Sequence, residues 1–419
     1  MERAGVVTDT SSEITGSPTS PGVAPVVLSD DLVEELLRFT LSLTASGAVL
    51  TLPFSLSLSP DYCSRLLQPE PSALLPFLHP FVWHDGDGTS GVPAYPLYKH
   101  LARAIRRCID SGSFSRSLSN AMPSIPLVEK ANLKVNEWNS LILNKGSELT
   151  NMLSNVDFEL HVQEPFFSQL RDGLKTVEGR CALGLYNRIA PGSLILFNKC
   201  LLLEVTHVNH YSSFSDMLQV EILANVLPGI MTAEDGVQVY RKFYTEEKEK
   251  SNGVLAISVK RSAIQPYNTL ANFLSGLSYD GIANLLGLVH TVATVLDALP
   301  PPRSSLISSS MRPVRPNVIG CLLTDAAKAL AKHVNRSNNR WWGVLRGGDS
   351  NKNKLALEVI HRLLNDCCWM NIHLIQPYGC VFEIRVPEGF GARWSHDCSK
   401  FIGFLEPYTE EGFSNRWQH

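Results

Sequence analysis

The chain lacks any apolar run long enough to cross a bilayer. Its most apolar helix candidate, Ile282 to Leu299, is interrupted by Asn284, His290 and Asp297, and is too short and too polar for a span of about 20 residues. No secretory leader is expected either. The first 25 residues are rich in Ser, Thr, Pro and Gly with Glu2, Asp9 and Glu13 among them, and show no basic segment followed by an apolar one. The nine cysteines are odd in number and include the adjacent pair Cys367 and Cys368. They do not form the evenly spaced framework of a small secreted domain, so a reducing compartment, nucleus or cytoplasm, is expected. A net charge of -3 rules out a general field that would attract nucleic acid, and any such role must rest on a local patch. His373, His396, Asp397, Cys398 and His419 show none of the paired spacings of metal ligands, and neither metal nor cofactor is expected. There is no internal repeat.

What is present is an ordinary globular composition, 44% hydrophobic and 18% charged over 419 residues, enough for two or three domains. Composition shifts divide the chain into a disordered N-terminus (1–27), a mainly helical region (28–150), a mixed segment (157–261), an apolar packing helix (280–299), a Pro/Ser-rich linker (300–316) and a C-terminal α+β domain (317–419). Ser29 followed by Asp30 and Asp31 is a helix start with acids in the first turn. Five prolines and five serines between Pro300 and Pro316 read as a flexible linker. Beyond it the pattern predicts strands at Val318 to Leu323 and Trp341 to Leu345, and a helix over LALEVIHRLLNDCC. Strands over NIHLIQ and CVFEIRV follow, and then an irregular aromatic tail.

The richest stretch is His161 to Lys199. A short extended piece leads to a Pro-initiated helix that stops at Gly173, and a second extended piece then presents Lys175, Glu178 and Arg180. A Pro191-Gly192-Ser193 turn precedes the apolar run Leu194 to Phe197, the alternating run Leu201 to Val208, a helix pattern near Phe214 to Leu227 and a final strand Val254 to Lys260. In these residues, in GLKTVEGR and in the closing YRKFYTEE and GVLAISVK, the segment resembles an ASCH domain (activating signal cointegrator homology), a small β-barrel of the PUA-like group. The fold class expected is therefore α+β multidomain: a central PUA-like barrel with a helical N-terminal region and a C-terminal α+β domain.

The resemblance implies binding of RNA or a modified nucleotide in a cleft at the barrel mouth, in transcription coactivation or RNA processing, with no membrane partner. It points to Lys175, Glu178 and Arg180, with Asn198 and Lys199 on the same wall and Arg188 and Lys260 as weaker additions. Cations position phosphates, while a carboxylate accepts from a base amino group. A surface salt-bridge cluster is the plain alternative. The related acetylcytidine amidohydrolases place a threonine three residues after their lysine, where this chain has Glu178; its only nearby hydroxyl is Thr176. A residue one place out of phase on a strand points to the opposite face, so a nucleophile is not evident and no catalytic residue is assigned. Two further readings stay open: a hydrolase acting on a modified nucleoside, and a scaffold recruiting protein partners through the N-terminal helices.

Other constellations read as structural. Lys99, Arg103, Arg106 and Arg107 form the solvated face of a helix. Arg346 to Lys354 is glycine-containing but lacks phosphate-loop spacing, and an Asn-capped helix start accounts for it. Arg393-Trp394 and Arg416-Trp417 offer stacking faces for bases, or else the tryptophans seal the C-terminal core.

Overall fold

The computed structural model describes residues 26–47, 54–71, 91–115, 130–291, 293–318, 322–334 and 340–407. Residues 1–25, Arg416, Trp417 and His419 lie outside them. The architecture is mixed α+β with two sheets. Two compact units emerge: one holds 156–197 with 203–262, the other 27–155 with 198–202 and 263–419. The second unit is thus assembled from segments on both sides of the first in sequence.

The first unit is built on β1 (Phe158–Leu160), β2 (Val177–Cys181), β3 (Leu194–Phe197), β4 (Leu201–Tyr211) and β5 (Val254–Arg261), in the order β1-β3-β4-β5-β2. β1 runs parallel to β3, while β5 is antiparallel to both β4 and β2. The sheet curls into a half-barrel. Its outer strands, β1 and β2, are linked by Arg180 of β2, which donates through Nη2 to the carbonyl of His161, one residue past β1, at 2.7 Å. Behind β2 and β5 the helices Phe214–Val220 and Ala233–Arg241 bury Phe214, Met217, Leu218 and Tyr240.

In the second unit, helix Asp30–Ala45 starts as its sequence predicts, with the Ser29 hydroxyl accepting from the amide of Leu32 at 3.2 Å. It buries Leu32, Leu36, Leu37 and Leu41 against helices Pro60–Leu67, Leu97–Ser111 and Pro266–Leu285. The basic face of Leu97–Ser111 is ion-paired: Lys99 meets Glu34, and Arg106 meets Asp110. An antiparallel meander, β6 (Trp369–Ile375), β7 (Gly379–Arg385), β8 (Gly391–Ser395) and β9 (Phe401–Leu405), closes the chain. One sheet face, with Met370, Ile372, Phe382, Ile384, Ala392, Trp394 and Phe404, packs into a core with Leu330, Trp342, Ile360 and Leu364. Among the described residues no helix is long and apolar enough to cross a membrane, and Cys63, Cys108, Cys181, Cys200, Cys367, Cys368, Cys380 and Cys398 are all free thiols.

Several sequence expectations change here. The apolar stretch 280–299 is not one helix: Pro266–Leu285 ends before Gly287, whose φ of +89° suits a helix stop. Leu288 and Thr294 then lie beside β6, with bridges Leu288 to Met370 and Thr294 to His373. The window 300–316 is not a bare linker. It contains helix Arg303–Ser310, where the hydroxyls of Ser309 and Ser310 donate to the carbonyl of Leu306 while Leu306 and Ile307 enter the core. Residues 341–345 form no strand, because Trp341 and Trp342 turn edge to face at 4.7 Å and both reach Phe390. The part of the C-terminal tail up to 407 is not irregular but supplies β8 and β9, while 408–419 lie outside the described residues; glycines at 391 and 403 mask its strand pattern.

The helix in the Pro/Ser window generates a prediction. Leu306 is fully buried, so Leu306→Ala should destabilise the second unit by about 2–5 kcal/mol. Limited proteolysis of the wild type should spare 303–310. Early cleavage there, or an unchanged denaturation midpoint in the variant, would contradict the packing.

Candidate nucleic-acid interface

On β2 the alternation of a strand sends Val177, Gly179 and Cys181 to one face and Glu178 and Arg180 to the other. The first face meets the helices. A Cβ placed on Gly179 would lie 2.3 Å from the Tyr240 hydroxyl and 2.9 Å from Cε of Met217, so only glycine lets the Tyr240 ring, stacked on Phe214 at 4.1 Å, close over the strand. The second face carries a charged cluster. Arg180 Nε donates to Glu178 Oε1 at 2.8 Å, and Lys175 Nζ stands 3.2 Å from Glu178 Oε2.

Lys175 is 2% exposed. Its ammonium also donates to the carbonyls of Val177 and Val226, and it lies 5.9 Å from the Phe166 ring centre. Burial lowers its pKa, with Glu178 pulling the other way without reversing the shift. For Glu178 burial opposes ionisation, but Lys175 and Arg180 outweigh it and hold the carboxyl below its ordinary range. Burial likewise opposes the charge on Arg180, yet Glu178, Tyr244 and Tyr186 more than compensate. The guanidinium is 5.9 Å from the Tyr186 ring centre. The result is a fixed carboxylate with a guanidinium and two tyrosines beside it.

The structure therefore brings Lys175, Glu178 and Arg180 together, with Lys175 spent inside the protein. The remaining sequence candidates lie elsewhere. Asn198 and Lys199, both at positive φ in the turn between β3 and β4, group with the second unit, where Lys199 pairs with Asp31. Lys260 pairs with its cross-strand neighbour Glu204 at 3.0 Å. Arg188 is exposed at the end of the turn Gly184–Arg188; from that turn it is Tyr186 that reaches Arg180. Sequence reasoning misses Tyr186, Tyr244 and Tyr240. The available signal is Gly179, since a glycine inside a strand marks a close approach by something bulky.

The second sheet holds a similar cluster on the face away from its core. Glu383 accepts from Arg385 Nε at 2.8 Å and from Arg393 Nε and Nη2 at 3.0 and 2.7 Å. Gly391, opposite Arg385 on β8, leaves room for that side chain: a Cβ would meet its Cγ at 2.9 Å and the Ile384 carbonyl at 2.1 Å. His373 Nε2 is 3.4 Å from Glu383 Oε2, an ion-pair separation rather than an aligned hydrogen bond. Trp394, next to Arg393 but on the core face, donates its indole N–H to Leu306 and Ser310. It seals the core and is not a stacking platform. Among the described residues no set of His, Cys, Asp and Glu is grouped as a metal site.

The model of the ASCH domain matches residues 160–262. This chain belongs to the ASCH domain family. Among solved structures, the crystal structure of hypothetical protein PH0355 is 41% identical, over 25% of this chain and 97% of that one, with a TM-score of 0.24. The solution structure of protein PF0455 from Pyrococcus furiosus is 42% identical, over 25% of this chain and 94% of that one, with a TM-score of 0.23. A model of the CdiA C-terminal tRNase toxin domain matches residues 317–406. No curated protein matches.

Two outcomes follow from the geometry. Gly179→Ala should destabilise the ASCH unit by about 1–3 kcal/mol through overpacking against Tyr240, seen as a lower chemical-denaturation midpoint; a stability equal to wild type would show that the ring has room to move. For the second unit, burial opposes ionisation of Glu383, but His373, Arg385 and Arg393 together hold it at about 2; His290 and Lys134 do the same for Asp280, also at about 2. Folded-state values below the ordinary ~4 of carboxyl groups mean stability that is complete above that range and lost as pH falls toward 2. Acid titration of the wild type should show this loss, and Glu383→Gln should shrink it while costing about 3–5 kcal/mol at neutral pH, because two guanidiniums lose their counter-charge. An acid slope unaltered by the substitution would remove Glu383 from the account.

Proposed function

We propose that the ASCH unit binds RNA or a modified nucleotide in a cleft around Glu178 and Arg180, with its curled sheet as the wall of a PUA-like β-barrel. The observation that carries this reading is the Glu178 carboxylate, 9% exposed yet charged, held between two cations. A fixed carboxylate accepts hydrogen bonds from base amino groups, and Arg180 offers a guanidinium for phosphate or base faces. Tyr186 and Tyr244 supply rings of the kind on which single-stranded bases stack. Lys175 acts in this scheme as a positioning residue for Glu178, not as a phosphate contact. A module of this kind suits transcription coactivation or RNA processing.

A second reading concerns the C-terminal sheet. The match of residues 317–406 to a tRNase toxin domain supports an RNA-directed role for that part of the chain also, whether binding or cleavage.

The first reading is tested by titrating RNA into variants whose melting is unchanged. Arg180→Ala should weaken binding by about 1–3 kcal/mol and reduce the salt slope by about one unit for a lost phosphate contact. Glu178→Gln should change preference among ligands more than overall affinity. Wild-type affinity of Arg180→Ala at every salt concentration would exclude this cleft.

A further inference from the structure

Three planar groups are stacked from the core of the second unit out to its surface. Phe390 is buried and lies nearly parallel to the Trp341 ring, with 4.3 Å between centres and 14° between planes. A ring has two faces. The guanidinium carbon of Arg362 stands 3.9 Å from the centre of the same indole, so it must occupy the face that Phe390 leaves open. Arg362 also donates through Nη2 to the Trp341 carbonyl at 2.8 Å, which holds the guanidinium over the ring. Trp342 stands edge-on to both rings. Trp341 is half-buried and Arg362 is exposed, and the stack therefore ends in a planar cation at the surface.

What this cation lacks is an anion. Glu358 and Asp366 stand one turn to either side of Arg362 on helix Asp349–Asp366, yet among the described residues Arg362 makes no ion pair. Asp366 feels its charge only from a distance, and burial holds that carboxyl above its ordinary range. Arg340, next to Trp341 in sequence, is also exposed, and its side chain has no partner among the described residues. A tight turn fixes its place: its φ is +54°, and its carbonyl accepts from the Gly343 amide at 2.9 Å. Because Arg362 reaches the carbonyl one residue from Arg340, two unpaired cations share this part of the surface. Like charges repel unless an anion joins them. Guanidinium planes are also surfaces on which unpaired bases of single-stranded RNA stack, and a guanidinium already held in place loses little freedom when a base arrives.

We propose that a single-stranded RNA lays an unpaired base on the outer face of Arg362 and an adjoining phosphate on Arg340, with Trp341 and Phe390 as the stack that backs the guanidinium. The proposal rests on the RNA-directed reading of residues 317–406, within which all four residues lie, and it adds where on that region the chain is held and by which of its parts. It is separate from the ASCH cleft in its residues.

The test uses the full chain carrying Arg180→Ala, which removes the ASCH contribution. A fluorescent single-stranded oligoribonucleotide of about ten nucleotides is titrated at several salt concentrations, beside the same oligonucleotide with its central bases removed. Into this background are placed Arg362→Met, which still covers Trp341 but has neither plane nor charge, Arg362→Lys, which keeps the charge alone, and Arg340→Gln. Both positions are exposed, so melting should match the parent. Arg362→Met should weaken binding of the base-bearing oligonucleotide roughly tenfold. Arg362→Lys should lose most of the preference for bases over the abasic form while keeping the salt slope, and Arg340→Gln should lower that slope by about one unit. Should Arg362→Met alter melting, Arg362→Lys and Arg340→Gln decide. If the parent binds and every variant keeps its affinity, base preference and slope, the RNA-directed reading of this region stands and the site assigned here is wrong. An equal loss on base-bearing and abasic forms would leave Arg362 as a charge and overturn the stacking. If the parent does not bind at all, the reading falls and takes the proposal with it.

Discussion

The ASCH unit depends on a buried carboxylate. Glu178 is held ionised by Lys175 and Arg180, and each cation also makes backbone contacts. Lys175 collects the carbonyls of Val177 and Val226, and Arg180 bonds the His161 carbonyl beyond the opposite edge of the sheet. Without Glu178, Arg180 would lose the anion that offsets its desolvation and with it the reason to reach toward His161. The bond between the outer strands and the seat of Tyr186 therefore both hang on the guanidinium that Glu178 holds.

The second sheet repeats the device with different parts. Glu383 and Arg385 stand two apart on β7 as Glu178 and Arg180 do on β2, a spacing that puts both on one strand face. The third member differs. In the ASCH unit it is a lysine turned inward to backbone carbonyls; in the second sheet it is Arg393, from the neighbouring strand.

Local signals are readable from the residues alone. Ser29 with two acids behind it announces a helix, GLKTVEGR announces the charged strand, and the alternation in NIHLIQ and CVFEIRV announces β6 and β7. What escapes such reading is long-range. Prolines and serines around 303–310 read as linker because nothing local tells that Leu306 will meet Trp394, 88 residues on. Tyr186 and Tyr244 are missed for the same reason: each reaches Arg180 only once the sheet has curled. The place of Lys199 just after β3 points to the cleft, but a turn with two consecutive positive φ angles carries it to Asp31.

Because the second unit takes residues from both sides of the ASCH segment, its own interior closes late. The amides of Gly91 and Val92 bond to the carbonyls of Cys367 and Leu364, a separation of more than 270 residues along the chain. On the ribosome the ASCH unit has all its strands once residue 262 has emerged, whereas the helices of 27–155 wait for Pro266–Leu285 beyond it, and Gly91 and Val92 wait for roughly a hundred further residues before Leu364 and Cys367 arrive. Domains fold as units during synthesis, and apolar surface left open in the meantime invites aggregation. The interrupted unit, not the inserted one, is then the part of this protein whose interior stays open longer while the chain is being made.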